Sequence, residues 1–199
     1  INPNYKKNNY IYLYYSTSFD NSFKKKDYFV MNRISRFIYK EGKLSKEKIL
    51  LDNIPGNKFH VGGRLEIGPD KKLYATTGDG IKEKSQDIHY LGGKILRMNL
   101  DGTIPSNNPF KNSYVYSRGH RNPQGLTVEK NFIISTEHGP IGGDEINLIQ
   151  FGQNYGWPIS SYGEPYLDQE KSSKVYDYLK NHSDHGFIEP IYSFVPSIG

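Results

Sequence analysis

Apolar and aromatic residues recur along this chain in short alternating or continuous runs, each bounded by Gly, Asn, Asp or Pro, which is a strand signal. Three segments share one layout: 3–16 (PNYKKNNYIYLYYS), 65–78 (LEIGPDKKLYATTG) and 126–137 (LTVEKNFIISTE). Each has a polar turn followed by a run of β-branched and aromatic residues, as a hairpin does. Tyr12, Tyr74 and Ile133 align across the three, at separations of 62 and 59 residues. A second family of strands follows each time, at 33–39, 93–99 and 144–150. Turns at Gly42 and at Asp101-Gly102 follow the first two, as in outer hairpins. No segment carries a convincing helical stripe, the best short candidate lying around Ser172–Lys180.

A repeat near 60 residues built of short strands predicts an all-β chain of the β-propeller kind, whose ordinary blades run about 40–50 residues. An eight-stranded sandwich is the alternative, but it leaves the repetition unexplained. Three blades cannot close a ring, and an open ring leaves sheet edges and apolar faces uncovered. Residues 1–199 are therefore expected to be part of a propeller domain, three to four blades truncated at both ends. The closing segment 190–199 (PIYSFVPSIG) reads as the entry to another strand.

Composition narrows the classes. Hydrophobic residues make up 35% of the chain and the mean hydropathy is −0.72. The 17 Tyr, 10 Phe and 20 Gly nevertheless describe a folded chain that turns often. The longest apolar run, Tyr10–Tyr15, falls far short of the ~20 residues of a spanning helix, so no membrane span is expected. Absence of cysteine excludes disulfide scaffolds and thiolate metal sites. No charged-then-apolar leader follows Ile1. Residues 1–100 carry 19 basic and 10 acidic side chains, against 7 and 11 in the remainder. The lysines of the basic half (Lys24–Lys26, Lys46, Lys48, Lys71, Lys72) are scattered beside turns. That fits a solvated surface better than a nucleic-acid partner.

Several loops between strands are denser in Gly, His, Arg, Asn and Asp than packing needs. In 59–65 (FHVGGRL), His60 precedes two glycines at a strand start, where an imidazole can take a proton near neutral pH or can simply be bonded to a loop carbonyl. In 119–125 (GHRNPQG), Arg121 brings a planar cationic fork and Asn122 an amide. The competing reading pairs Arg121 with an acidic side chain beneath the loop, and His120 reads as structural. In 137–145 (EHGPIGGDE), Gly139-Pro140 exposes carbonyl oxygens beside Asp144 and Glu145, a hard-oxygen set of the kind Ca²⁺ accepts. The lone tryptophan, Trp157, reads as an apolar plug between blades, and Gly78-Asp79-Gly80 as a turn. His182 and His185 could bind metal, though surface loops often carry such pairs. Walker loops, Gly-x-Ser-x-Gly elbows and His-Glu-x-x-His helices are missing from the sequence.

Taken together, the strings FHVGGRLEIGPDKKLYATTGD, LGGKILRMNLDGTIPSNNPF, YSRGHRNPQGL and EHGPIGGDEINLIQFGQNYGWP resemble the glucose/sorbosone dehydrogenase family. These are soluble quinoproteins that oxidise aldose sugars with pyrroloquinoline quinone (PQQ). The resemblance runs over nearly the whole chain in order. It implies a six-bladed propeller with PQQ on top, Ca²⁺ as a second cofactor, an aldose substrate and an external electron acceptor. It also implies export to the periplasm or the extracellular space. His60 then matches the general base, and Arg121 and Asn122 the pair on the quinone oxygens. The backbone oxygens of Gly139 and Pro140 match the catalytic Ca²⁺ ligands, and Asp144 a cofactor-pocket carboxylate. Glu145 and Tyr155 match ligands of a second, structural Ca²⁺.

Two departures qualify the match. Phe59 stands where the glucose-oxidising branch has a substrate-binding aspartate, which points to the broader aldose branch. Further cationic groups that the family sets around PQQ fall beyond Gly199, so the 199 residues alone are expected to be inactive. The rival expectations are a non-catalytic propeller that binds a protein or glycan, and a lactone-acting hydrolase on a calcium propeller.

Overall fold

The computed structural model describes residues 1–18, 30–81, 84–165 and 180–196. They form three antiparallel sheets. The first contains β1 (Tyr10–Ser18), β2 (Val30–Lys40) and β3 (Lys43–Pro55) in that order. The second contains β4 (Leu65–Ile67), β5 (Lys72–Thr77), β6 (Lys94–Asn99) and β7 (Val115–Arg118). The third contains β8 (Pro123–Val128), β9 (Ile133–Glu137), β10 (Asp144–Leu148) and β11 (Tyr192–Phe194). The expected all-β chain of blade-like meanders is what the structure shows, and Tyr12, Tyr74 and Ile133 lie on β1, β5 and β9.

The middle sheet is buried on both faces because its side chains alternate between two neighbours. Leu73 and Ala75 of β5, with Leu96 and Met98 of β6, pack against Tyr12, Ile34, Leu50 and Ile54 of the first sheet. Tyr74 and Ile95 point the other way, into a core with Leu126, Val128 and Ile133 of the third. Fully burying such a side chain stabilises by about 1.5–3 kcal/mol, so these two interfaces hold the stack together. β1 touches β4, and β4 touches β8, so the first strands line a common inner margin.

One expectation near the start of the chain is corrected. The first repeat does not open with a hairpin: residues Tyr5–Asn8 form a single helical turn, α1, closed by Asn9 in the left-handed region. The cause is local. Asn2 accepts from the Asn4 main chain at 2.8 Å and from the Asn8 amide at 3.0 Å, and it donates to the Tyr12 hydroxyl at 2.8 Å. The segment after Pro190 is a strand, as expected: β11 pairs with β10 along the third sheet. The helix expected around Ser172–Lys180 lies outside the described residues, apart from Lys180. So do Lys24–Lys26, whereas Lys46, Lys48 and Lys71 are exposed. The first two line the edge strand β3, where charge discourages further pairing.

Strands are antiparallel within each sheet, and the connections that follow β3, β5, β7 and β9 are joined by main-chain hydrogen bonds from Gly80 to His60, from Asp79 to Arg121 and from His138 to Asn122. The links β3–β4, β5–β6, β7–β8 and β9–β10 are these connections. They carry His60, Asp79, Arg121 with Asn122, and Gly139 with Pro140. These loop-to-loop bonds bring residues of three consecutive repeats to one face.

Candidate functional site

His60 sits in the β3–β4 link with φ +57°. The link is pressed onto the end of β5: a Cβ on Gly78 would lie 2.0 Å from the His60 carbonyl oxygen, and one on Gly62 would lie 2.7 Å from the Gly78 nitrogen. Only glycine permits that approach. The imidazole is partly exposed, with Nδ1 2.8 Å from Oδ1 of Asp79, which is itself buried. A carboxylate accepts, so a neutral imidazole in this contact carries its proton on Nδ1 and keeps the Nε2 lone pair. His60 is thus bonded to a carboxylate, not to the loop carbonyl that a structural role predicts.

In the sequence Asp79 reads as a turn residue. It organises the site instead. Its Oδ2 accepts from the indole Nε1 of Trp157 at 2.7 Å, and its Oδ1 also accepts from the Ile81 main chain at 2.9 Å. Its own main-chain N–H donates to the carbonyl of Arg121 at 2.8 Å. Trp157 is therefore a hydrogen-bond donor as well as a packing group, and the Arg121 guanidinium lies 5.3 Å from its ring centre.

Arg121 and Asn122 are both buried. Arg121 donates from Nη1 to the His138 carbonyl at 3.1 Å and from its main chain to Glu137 at 2.7 Å. The acidic side chain beneath the loop thus binds its backbone. Asn122 accepts from the Gly62 main chain at 3.1 Å and so ties this loop to that of His60. His120 is structural, as expected: its ring is fully buried, stacked on Tyr155, and bonded to Ser117 at 2.9 Å and Glu137 at 2.8 Å.

Gly139 opens a tight turn, where a Cβ would meet the Gly142 oxygen at 2.2 Å. Asp144, the first residue of β10, accepts from the Gly139 main chain at 2.9 Å, with His138 3.6 Å away across its other oxygen. Behind this turn is a cavity of about 10 Å³ walled by Arg121, Glu137, Gly139, Glu145, Tyr155 and Trp157 among others. That is room for one water or ion. Burial and the neighbouring Glu137 push the Glu145 carboxyl well above its ordinary range. The Tyr155 hydroxyl is engaged by the Leu148 carbonyl at 2.6 Å and the Gln150 main chain at 2.8 Å. What Tyr155 can offer to that cavity is its main chain.

Two buried carboxylates beside carbonyl oxygens are a donor set that suits a hard cation. Among the described residues no group of three His, Cys, Asp or Glu side chains could hold a metal, so main-chain oxygens would have to complete any coordination. His182 and His185 do not converge: the first is buried and stacked on Tyr162, the second exposed. His60 is not a wall of the small cavity; Asp79 and Trp157 connect it to Arg121.

A fan of antiparallel meanders with polar loops gathered at one end defines a propeller-type scaffold with its site on the loop face. The Glucose / Sorbosone dehydrogenase family matches residues 1–199, and the chain belongs to that family. It is 40% identical over 186 residues to quinoprotein glucose dehydrogenase B of Acinetobacter calcoaceticus, covering 79% of this chain and 38% of that protein. It is also 40% identical over 115 residues to the aldose sugar dehydrogenase YliI of Escherichia coli, covering 54% of this chain and 31% of that one. Among solved structures, the PQQ-bound aldose sugar dehydrogenase of Streptomyces coelicolor matches with a TM-score of 0.76 at 35% identity, over 97% of this chain and 51% of that one. The chain thus spans about half the length, or less, of these relatives. Among the described residues no helix is long and apolar enough to cross a membrane.

Proposed function

We propose that the protein carrying these residues is a PQQ- and Ca²⁺-dependent dehydrogenase that oxidises the anomeric carbon of aldose sugars to lactones. The observation that carries this is the continuous chain from His60 through Asp79 and Trp157 to the buried guanidinium of Arg121. It sets a base and a fixed cation on one loop face. When bound, PQQ supplies the two-electron acceptor for the hydride that leaves C1, and Ca²⁺ adds a Lewis-acidic charge beside it.

The residues present fit both groups. Arg121 holds a permanent positive charge in a desolvated position, suited to an oxygen-rich anion. The Gly139-Pro140 turn, with Asp144 fixing the Gly139 main chain, offers carbonyl oxygens. Glu137 and Glu145, around the one-ion cavity, suit a second cation with the main chain of Tyr155.

On the sugar, His60 Nε2 takes the proton of the anomeric hydroxyl as the C1–H bond breaks, leaving a C=O in the lactone. Asp79 keeps the imidazole in the required tautomer and faces the imidazolium that forms. Asn122 holds the two loops in register through the Gly62 main chain. Phe59, 58% exposed beside His60, brings no carboxylate to the mouth of the site, which fits a range of aldoses better than glucose alone. An external acceptor then reoxidises the cofactor, and the site of action is the periplasm or the extracellular space.

Residues 1–199 alone are proposed to be inactive, since Arg121 offers little opposition to the three carboxylates of PQQ. The test is reconstitution of the full-length gene product with PQQ and Ca²⁺, following dye reduction with several aldoses. Turnover that collapses in His60→Ala supports the assignment. No turnover with any aldose contradicts it and favours the non-catalytic propeller.

A further inference from the structure

Lys94 opens β6 with no solvent exposure. Strand alternation puts it on the same side as Leu96 and Met98, yet its ammonium is not left among apolar groups. Nζ donates to the carbonyl of Ser85 at 2.8 Å and to that of Gly92 at 2.7 Å. One side chain thereby ties down both ends of the segment 85–92. The Lys94 main chain is held as well, donating to the Thr77 hydroxyl at 3.1 Å.

Several contacts run from this segment into the site, among them that of the Gln86 amide to the Trp157 carbonyl at 2.7 Å. The Tyr90 hydroxyl donates to the main-chain oxygen of Asp79 at 3.0 Å. Ser85 donates through its hydroxyl to the His120 carbonyl at 2.7 Å. The Ser85 carbonyl also accepts from the Gly119 main chain at 3.1 Å. A methionine or leucine would fill the Lys94 position without any cost of burying charge, so its donors are what the position uses. Burial pushes the amine down to about 7. The charged groups facing it are Asp87 and Asp79, which oppose that shift, and Arg118, which adds to it; the Tyr90 ring lies 5.9 Å away.

We propose that Lys94 is a positioning residue for the His60–Asp79 pair: by closing the segment 85–92 it seats Tyr90 under Asp79, and so fixes the carboxylate that orients the imidazole. The catalytic meaning of that pair rests on the dehydrogenase assignment; the positioning itself does not.

The experiment is NMR of the ¹⁵N-labelled full-length protein without cofactor. It follows solvent exchange of the His60 Nδ1 proton in wild type, Lys94→Met and Tyr90→Phe, with the Leu126 amide in β8 as the reporter of global opening. Both variants are expected to speed exchange at His60 about tenfold or more relative to Leu126, as loss of one buried hydrogen bond does locally. Exchange at His60 that follows Leu126 in either folded variant overturns the proposal. If Lys94→Met does not fold, Tyr90→Phe alone decides, by the same two outcomes. Aldose-dependent dye reduction is measured separately, so a loosened imidazole in a protein that oxidises no sugar would sink the dehydrogenase assignment and leave the positioning role intact.

Discussion

Trp157 donates its indole proton to Asp79 at 2.7 Å across a sequence separation of 78 residues. The same carboxylate holds His60 from its other oxygen at 2.8 Å. The third repeat thus fixes the imidazole presented by the second. Replacing Trp157 with Phe keeps a ring beside Arg121 but leaves a buried, charged acceptor one donor short. Urea unfolding should show a loss of about 1.5–3 kcal/mol, the range for a hydrogen bond to a charged group.

Asp79→Asn should be more damaging to turnover than to folding. The amide can donate to Nδ1 of His60, which moves the imidazole proton to Nε2 and removes the lone pair that the proposed proton abstraction needs. In the loaded full-length protein, kcat for aldoses should fall about a thousandfold or more, as for other imidazoles forced into the wrong tautomer. The check is steady-state dye reduction alongside a thermal melt.

Gly78 has no room for a side chain, because a Cβ there would sit 2.0 Å from the His60 carbonyl oxygen and 2.3 Å from its carbon. Both contacts are backbone and cannot swing away. Gly78→Ala should cost about 3 kcal/mol or more and displace His60 with the loop. Chemical denaturation reads the first effect, and the His60 ring resonances read the second.

How much of this was legible in the sequence differs element by element. Strands β5 and β6 were plain because their apolar positions serve two cores and leave almost unbroken runs. The helical turn at 5–8 was not, since it depends on the Asn2 amide reaching three other residues. His60, Arg121 and the Gly139-Pro140 turn stood out by residue type. Asp79 did not: between two glycines it looks like any turn, and its role exists only through Trp157 and His60. Lys94 was hidden in the same way, although a lysine in phase with Leu96 and Met98 was a signal that could have been read.

Lys94 also predicts a pH dependence of stability. Its amine is pushed down to about 7 in the fold against about 10.4 when unfolded. Between those values the unfolded chain binds more protons than the folded one, so stability rises with pH across that window. The penalty for burying the charge is fully present below about pH 7. Lys94→Met should flatten the Lys94 contribution to the slope of unfolding free energy between about pH 7 and 10.

Calcium should stabilise the full-length protein through Glu137 and Glu145, since burial and the neighbouring Glu137 charge hold the Glu145 carboxyl well above its ordinary range and a cation there would offset both. At a hundred times its dissociation constant a single ion adds about 2.7 kcal/mol. Chelation should reverse the gain in melting temperature, and Glu145→Gln should remove the share that belongs to the ion at Glu137 and Glu145.

The most direct measurement of the central claim uses Trp157 as its own reporter, since it is the chain's sole tryptophan and lies 5.3 Å from the Arg121 guanidinium. Trp157 fluorescence is followed during titration of the full-length protein with PQQ, with any tryptophan outside these 199 residues replaced. Saturable quenching that weakens about tenfold or more in Arg121→Ala, the loss expected when one charge-assisted contact is removed, is the predicted result. Quenching that is absent, or equal in wild type and variant, would contradict a quinone site at Arg121.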